Sequence, residues 1–144
     1  MDNFNIAGEW FDIADKDLAS SKYLRDMHPL PVEIICYHCQ QSAEKYLKGF
    51  LALNEHEIKK THDLGLLNQL CRDYNPEFKS IEEECIRLTD YAVNIKNPYA
   101  MDLNFSDMTL AITDAERIQN FVLSKYEAFK SEKNKKNSGD NEKK

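Results

Sequence analysis

Ile35-Cys36-Tyr37-His38-Cys39-Gln40-Gln41-Ser42-Ala43-Glu44-Lys45-Tyr46-Leu47-Lys48 is the stretch from which the fold can be read. Val32, Ile35, Cys36, Cys39, Ala43, Tyr46, Leu47 and Phe50 recur at steps of three and four, which puts them on one side of a helix. Glu33, Gln40, Gln41, Glu44, Lys45 and Lys48 are left for the other faces. Gly49 sits inside this helix, where alanine would be better by about 1 kcal/mol, so close approach of another helix is the expected reason for it. Tyr37, His38, Gln41 and Lys45 flank the apolar stripe and could face a partner subunit.

Working outward, the same periodicity predicts five helical segments up to about Lys130 and no strand. The first runs from about Phe4 to Met27, with Ala7, Trp10, Phe11, Ala14, Leu18 and Ser21 inside and an Asp12–Lys16 pair outside. His28-Pro29-Leu30-Pro31 stops it, and Pro31 suits the first turn of the second helix, which ends near Asn54. Thr61 is the expected N-cap of a third helix carrying Leu64, Leu67, Leu70, Cys71 and Tyr74. Ser80-Ile81-Glu82-Glu83 reads as a capping box opening a fourth, whose stripe is Ile81, Cys85, Leu88, Ala92 and Ile95 before Asn97-Pro98. The fifth starts near Ser106 or Asp107 and turns Met108, Ala111, Ala115, Ile118, Val122 and Phe129 inward. Amphipathic helices joined by short loops make an all-α, four- to five-helix up-and-down bundle over residues 1–130. Residues 131–144 are too polar to pack and are expected to form a disordered tail.

The 144 residues suffice for one domain, and the formal charge is -6. The last fourteen residues hold five lysines against three acids, so the tail carries +2 and the body -8. Such a body lacks the general electrostatic footprint of phosphate-backbone binding, and any nucleic-acid site would have to be local. The N-terminus opens with Asp2 and Asn3, and no apolar run approaches the ~20 residues that cross a bilayer, so a cytoplasmic protein with no membrane contact is expected. Cysteines are then reduced, and Cys71 and Cys85 sit at core positions of their helices.

Cys36-x-x-Cys39 with His38 between invites a metal or redox reading, but a closed zinc site needs four ligands and no second pair stands at matching spacing. Both thiols also lie on the apolar stripe, where desolvation makes them inert, so no metal is expected. His38 lies off the stripe and is expected to be partly buried against a carboxylate. Thr61-His62-Asp63-Leu64 can place an imidazole at the third helix's N-terminus, with a cap as its plain structural role. Lys45, Lys48, Lys59, Lys60 and His62 would form a basic patch if the loop before the third helix folds back. No glycine-rich phosphate loop, nucleophile with its base, or carboxylate cluster stands out, so the residues make no independent case for an enzyme or a cofactor.

Taken in order, Ala7-Gly8-Glu9-Trp10-Phe11, Ala14-Asp15-Lys16-Asp17-Leu18-Ala19, the stretch Ile35 to Lys48, Thr61-His62-Asp63-Leu64 and Leu88-Thr89-Asp90-Tyr91 leading to Pro98 resemble the HEPN family, the higher eukaryote and prokaryote nucleotide-binding helical domain. The resemblance spans about residues 4–129. It implies a helical bundle, commonly a homodimer, often working with a minimal nucleotidyltransferase as a two-component or toxin–antitoxin pair. A subset of the family are metal-independent ribonucleases that use an Arg followed four to six residues later by a His. Here no histidine follows His62, and Lys96-Asn97-Pro98 stands where many relatives have Arg-Tyr-Pro. Lysine keeps the charge but loses the two-pronged grip on phosphate. The implied function is therefore a non-catalytic module that dimerises and binds a nucleotide, an RNA or a nucleotidyltransferase partner. Lys96, Asn97 and Tyr99 would line its pocket, with His38, Gln41, Lys45 and His62 nearby. The alternative is a ribonuclease with an altered site, built on His38 or His62 with Lys96.

Overall fold

The computed structural model describes residues 2–92 and 102–142, with side chains through Lys136. Five α-helices are described: α1 Asn3–Tyr23, α2 Val32–Leu53, α3 Leu64–Arg72, α4 Glu82–Thr89 and α5 Phe105–Glu142. Three short 3-10 turns continue or precede them, at Leu24–Asp26, Pro76–Ile81 and Asp90–Ala92. The all-α fold expected from the periodicity is the fold observed, and no strand occurs among the described residues.

Pairs of contacts fix how the helices run. The Asn3 side-chain amide donates to the Leu53 carbonyl, and Ser42 Oγ donates to the Ala14 carbonyl at 2.8 Å. As the number rises on α1 it falls on α2, so the two are antiparallel. The Phe4 ring stacks on Tyr126 at 4.4 Å between centroids, while Lys22 pairs with Glu116 at 3.2 Å, which sets α5 antiparallel to α1. α2 is thus the central rod, and Ile35, Cys36, Cys39, Ala43, Tyr46 and Leu47 of its stripe are fully buried. Gly49 is where α1 comes closest: a Cβ there would lie 2.5 Å from Phe11 Cε1 and 2.9 Å from Trp10 Cβ.

Several local expectations are corrected. Asp63, not Thr61, caps α3 by accepting from the Leu66 N–H at 3.2 Å, while Thr61 Oγ1 accepts from Asp63 N–H at 3.1 Å. The carboxylate is the stronger acceptor and stands one residue before the helix. The Ser80 capping box does not form, because Asn75 caps a 3-10 turn through Pro76–Ile81 and the chain enters α4 already wound. Trp10, Val32 and Ala92 are only partly buried, and Tyr74 is exposed against His56, its hydroxyl 2.7 Å from Nδ1. Among the described ion pairs Asp12–Lys16 is missing, which leaves the Lys16 ammonium without a carboxylate within 4 Å. Ile95 lies outside the described residues.

The segment expected to be a disordered tail continues α5 to Glu142. No proline interrupts it, and Lys133 reaches back to Asp2 at 3.7 Å and over the Phe4 ring at 5.4 Å. Residues 131–136 are all exposed, so this extension adds little to the core.

Cys36, Cys39, Cys71 and Cys85 are all free and buried. Burial pushes the Cys36 and Cys39 thiols up to about 12 from an ordinary 9.0. Burial likewise lifts the Tyr91 hydroxyl to about 12 from 10.0. The folded chain therefore keeps these protons to higher pH than the unfolded chain does. Stability is fully present below about pH 9 and falls as pH rises from there toward 12, because the unfolded state ionises first. Denaturant titrations across pH 8 to 12 should show this decline, and Cys36→Ala with Cys39→Ala should flatten part of it.

Candidate functional site

Two polar clusters decorate the side of α2 that the apolar stripe leaves over. The first sits on the α1–α2 seam. His38 Nδ1 lies 3.2 Å from Asp17 Oδ1, and Lys45 Nζ bonds Asp17 Oδ2. One carboxylate thus holds two candidate ligand groups about two helical turns apart on α2. Asp17 is only 15% exposed at its side chain, while His38 and Lys45 are 29% and 23% exposed. Because Nδ1–H donates to the carboxylate, Nε2 is left for another partner. Gln41 joins this flank and donates to Gln40 Oε1 at 2.7 Å.

The second cluster is centred on Glu44, which is 5% exposed. Its Oε1 accepts from His62 Nδ1 at 2.8 Å and from Gln40 Nε2 at 3.2 Å, and its Oε2 accepts from Lys48 Nζ at 3.1 Å. Gln40 also donates to the His62 carbonyl at 3.1 Å, which draws the strand of loop before α3 across α2. That loop does fold back, as the basic-patch reading required. The patch itself is largely cancelled, since Lys45 is taken by Asp17, Lys48 by Glu44, and Lys59 lies 3.9 Å from Glu57. Gln40, Glu44 and Lys48 were assigned by periodicity to outer faces, and all three are buried, Gln40 and Glu44 against the loop at His62. His62 stays open, its side chain 64% exposed, as do Lys59 and Lys60.

Of the residues expected to form the site, His38 and Lys45 come together on Asp17 at the seam, while Gln41, through Gln40, and His62 join the neighbouring cluster. Lys96, Asn97 and Tyr99 lie outside the described residues. Sequence reasoning missed Asp17, Glu44 and Lys48 as the groups that order the site. The Glu44–Lys48 spacing of four was the available signal, whereas nothing marked Asp17 out from the other acids of α1.

Arg87 and Arg117 stand elsewhere. Arg87 grips Asp114 with both prongs, Nε to Oδ2 and Nη2 to Oδ1 at 2.9 Å each, and this bond and its charge raise the guanidinium pKa further. Arg117 Nη1 is 3.5 Å from Glu84 Oε1. These contacts fasten α4 to α5, and none of them brings a guanidinium to a histidine. Among the described residues no three His, Cys, Asp or Glu side chains converge as metal ligands. No helix of the described chain is long and apolar enough to cross a membrane.

Helices wound around a buried central rod, with carboxylate-anchored imidazoles along its polar flank, define an all-α helical-bundle domain. The HEPN domain family matches the chain over residues 7–128, and the chain belongs to that family. The crystal structure of an archaeal HEPN homologue is similar, with a TM-score of 0.66 at 24% identity over 83% of this chain and 97% of that one. At that identity the likeness establishes the fold. Comparison with curated proteins found no match.

Proposed function

We propose that this protein is a non-catalytic HEPN module that dimerises and binds a nucleotide, or a minimal nucleotidyltransferase partner in a toxin–antitoxin-like pair, within the cytoplasm. The observation that carries the reading is the division of labour between the two kinds of cation. His38 and Lys45 on α2, and His62 on the loop that crosses it, are each fixed by a carboxylate and left partly open. Arg87 and Arg117 are committed to Asp114 and Glu84 on another face. An acid/base pair of arginine and histidine at one phosphate has no counterpart among these contacts, whereas a row of fixed imidazole and ammonium groups suits recognition of an anion. Lys96, Asn97 and Tyr99 complete the pocket in this proposal.

Calorimetric titration of the purified chain with ATP, other nucleotides and short RNA tests it. Saturable binding of a nucleotide with the RNA left whole is the expected result; silence from every ligand, with no co-purifying nucleotidyltransferase, would leave a scaffold.

One observation favours the altered ribonuclease as a second reading: the buried Glu44 carboxylate orients the exposed His62 ring, an arrangement that suits a general base. Cleavage of structured RNA that disappears in both His62→Ala and Lys96→Ala would establish that reading, and cleavage undiminished in both would mark a contaminant.

A further inference from the structure

The α1–α2 seam opens beside His38 into a cavity of about 690 Å³ lined by Lys16, Ala19, Ser20, Tyr23, Leu24 and His38. That volume falls within the roughly 300–1,000 Å³ of small-molecule sites. Lys16, Ala19, Ser20 and Tyr23 are one face of α1, at spacings of three and four, and His38 closes the opposite wall from α2. No carboxylate is among the lining residues, although the protein as a whole carries a charge of -6. Asp17 on this seam has both oxygens engaged, one by His38 and one by Lys45, and Asp26 lines the adjoining cavity that shares Tyr23 and Leu24. Lys16 makes no ion pair among the described residues, despite Asp12 one turn before it. Tyr23 is 82% exposed, so its ring is open to a ligand at the cavity.

We propose that this cavity seats a nucleoside monophosphate, with its phosphate on Lys16, Ser20 and His38 Nε2 and its base against the Tyr23 ring. This rests on the nucleotide-binding reading and assigns it residues of α1 that the sequence did not single out. One ammonium and one hydroxyl, joined by His38 Nε2–H when the ring carries both protons, supply donors for a single phosphate, not for a triphosphate chain. Ala19 and Leu24 give an apolar floor of the kind a sugar and base edge can cover. Asp17 holds the imidazole in the orientation that leaves Nε2 free, and Lys45 balances the carboxylate so that it does not repel the ligand.

Calorimetry of the full chain with AMP, adenosine and inorganic phosphate tests the assignment. AMP should bind saturably and more tightly than either fragment. Lys16→Ala should weaken AMP about tenfold, the loss of one charge-assisted hydrogen bond. Tyr23→Ala should weaken AMP about tenfold and leave inorganic phosphate unaffected, the loss of one stacking contact. Both positions are exposed, so the variants should fold, and Lys79→Ala, on a different cavity, should change nothing. AMP affinity unchanged in both variants would overturn this seat while leaving nucleotide binding elsewhere on the protein. Phosphate binding as tightly as AMP would overturn the base contact, and wild-type protein that binds neither would overturn both the seat and the reading beneath it.

Discussion

Glu44→Ala should lower the unfolding free energy by about 3–5 kcal/mol, because it strands a buried ammonium. Lys48 is 7% exposed and its nitrogen bonds Glu44 at 3.1 Å. Removing the carboxylate also releases His62 and one bond of Gln40, so the loop before α3 loses its fastening to α2. The pair itself need not add net stability, since the cost of desolvating two charges offsets much of their attraction. Glu44→Leu combined with Lys48→Met should therefore recover most of what the single change loses. Urea unfolding of both variants, followed by helix content, separates a stranded charge from a simple cavity. If the double variant is as unstable as the single one, the charge explanation is wrong.

A second large effect should come from Gly49→Ala, and in the direction opposite to helix propensity. In an exposed helix the change would stabilise by about 1 kcal/mol. Here the added methyl would sit 2.5 Å from Phe11 Cε1 and 2.9 Å from Trp10 Cβ, closer than carbon atoms approach. Phe11 is itself 3% exposed and stacks with Tyr46 at 6.0 Å, so it has little room to retreat. The helices must separate, and overpacking of this kind costs about 1–3 kcal/mol. A Gly49→Ala protein more stable than wild type in the same urea experiment would mean that α1 and α2 are less tightly apposed than described.

These two positions also mark what a linear reading can and cannot reach. Gly49 was legible, because a glycine within a strong helical stripe has few causes besides close packing. The buried cysteines, and the expectation that His38 would meet a carboxylate though not which one, were legible for a related reason: periodicity states which face a residue occupies. It does not state what covers the opposite face. Gln40, Glu44 and Lys48 therefore read as solvated, although all three are buried, the first two against the loop at His62. Caps failed similarly at Thr61 and Ser80, where Asp63 and Asn75 took the capping role and the choice depended on the path of the preceding loop. The polar run from Ser131 read as a tail on composition, which cannot anticipate a lysine reaching the far end of α1. Lys16 escaped notice because a textual i,i+4 pair with Asp12 accounted for it, and only the cavity gives it another role.

The central proposition is that the polar flank of α2 with the facing side of α1 recognises an anionic ligand and does not cut it. Amide NMR on the isotopically labelled full chain, recorded during an AMP titration, tests this most directly. The account predicts saturable shifts concentrated from Lys16 to Leu24 and from His38 to Lys45. Shifts confined to α3 or the outer face of α5, or a spectrum indifferent to the nucleotide, would contradict it.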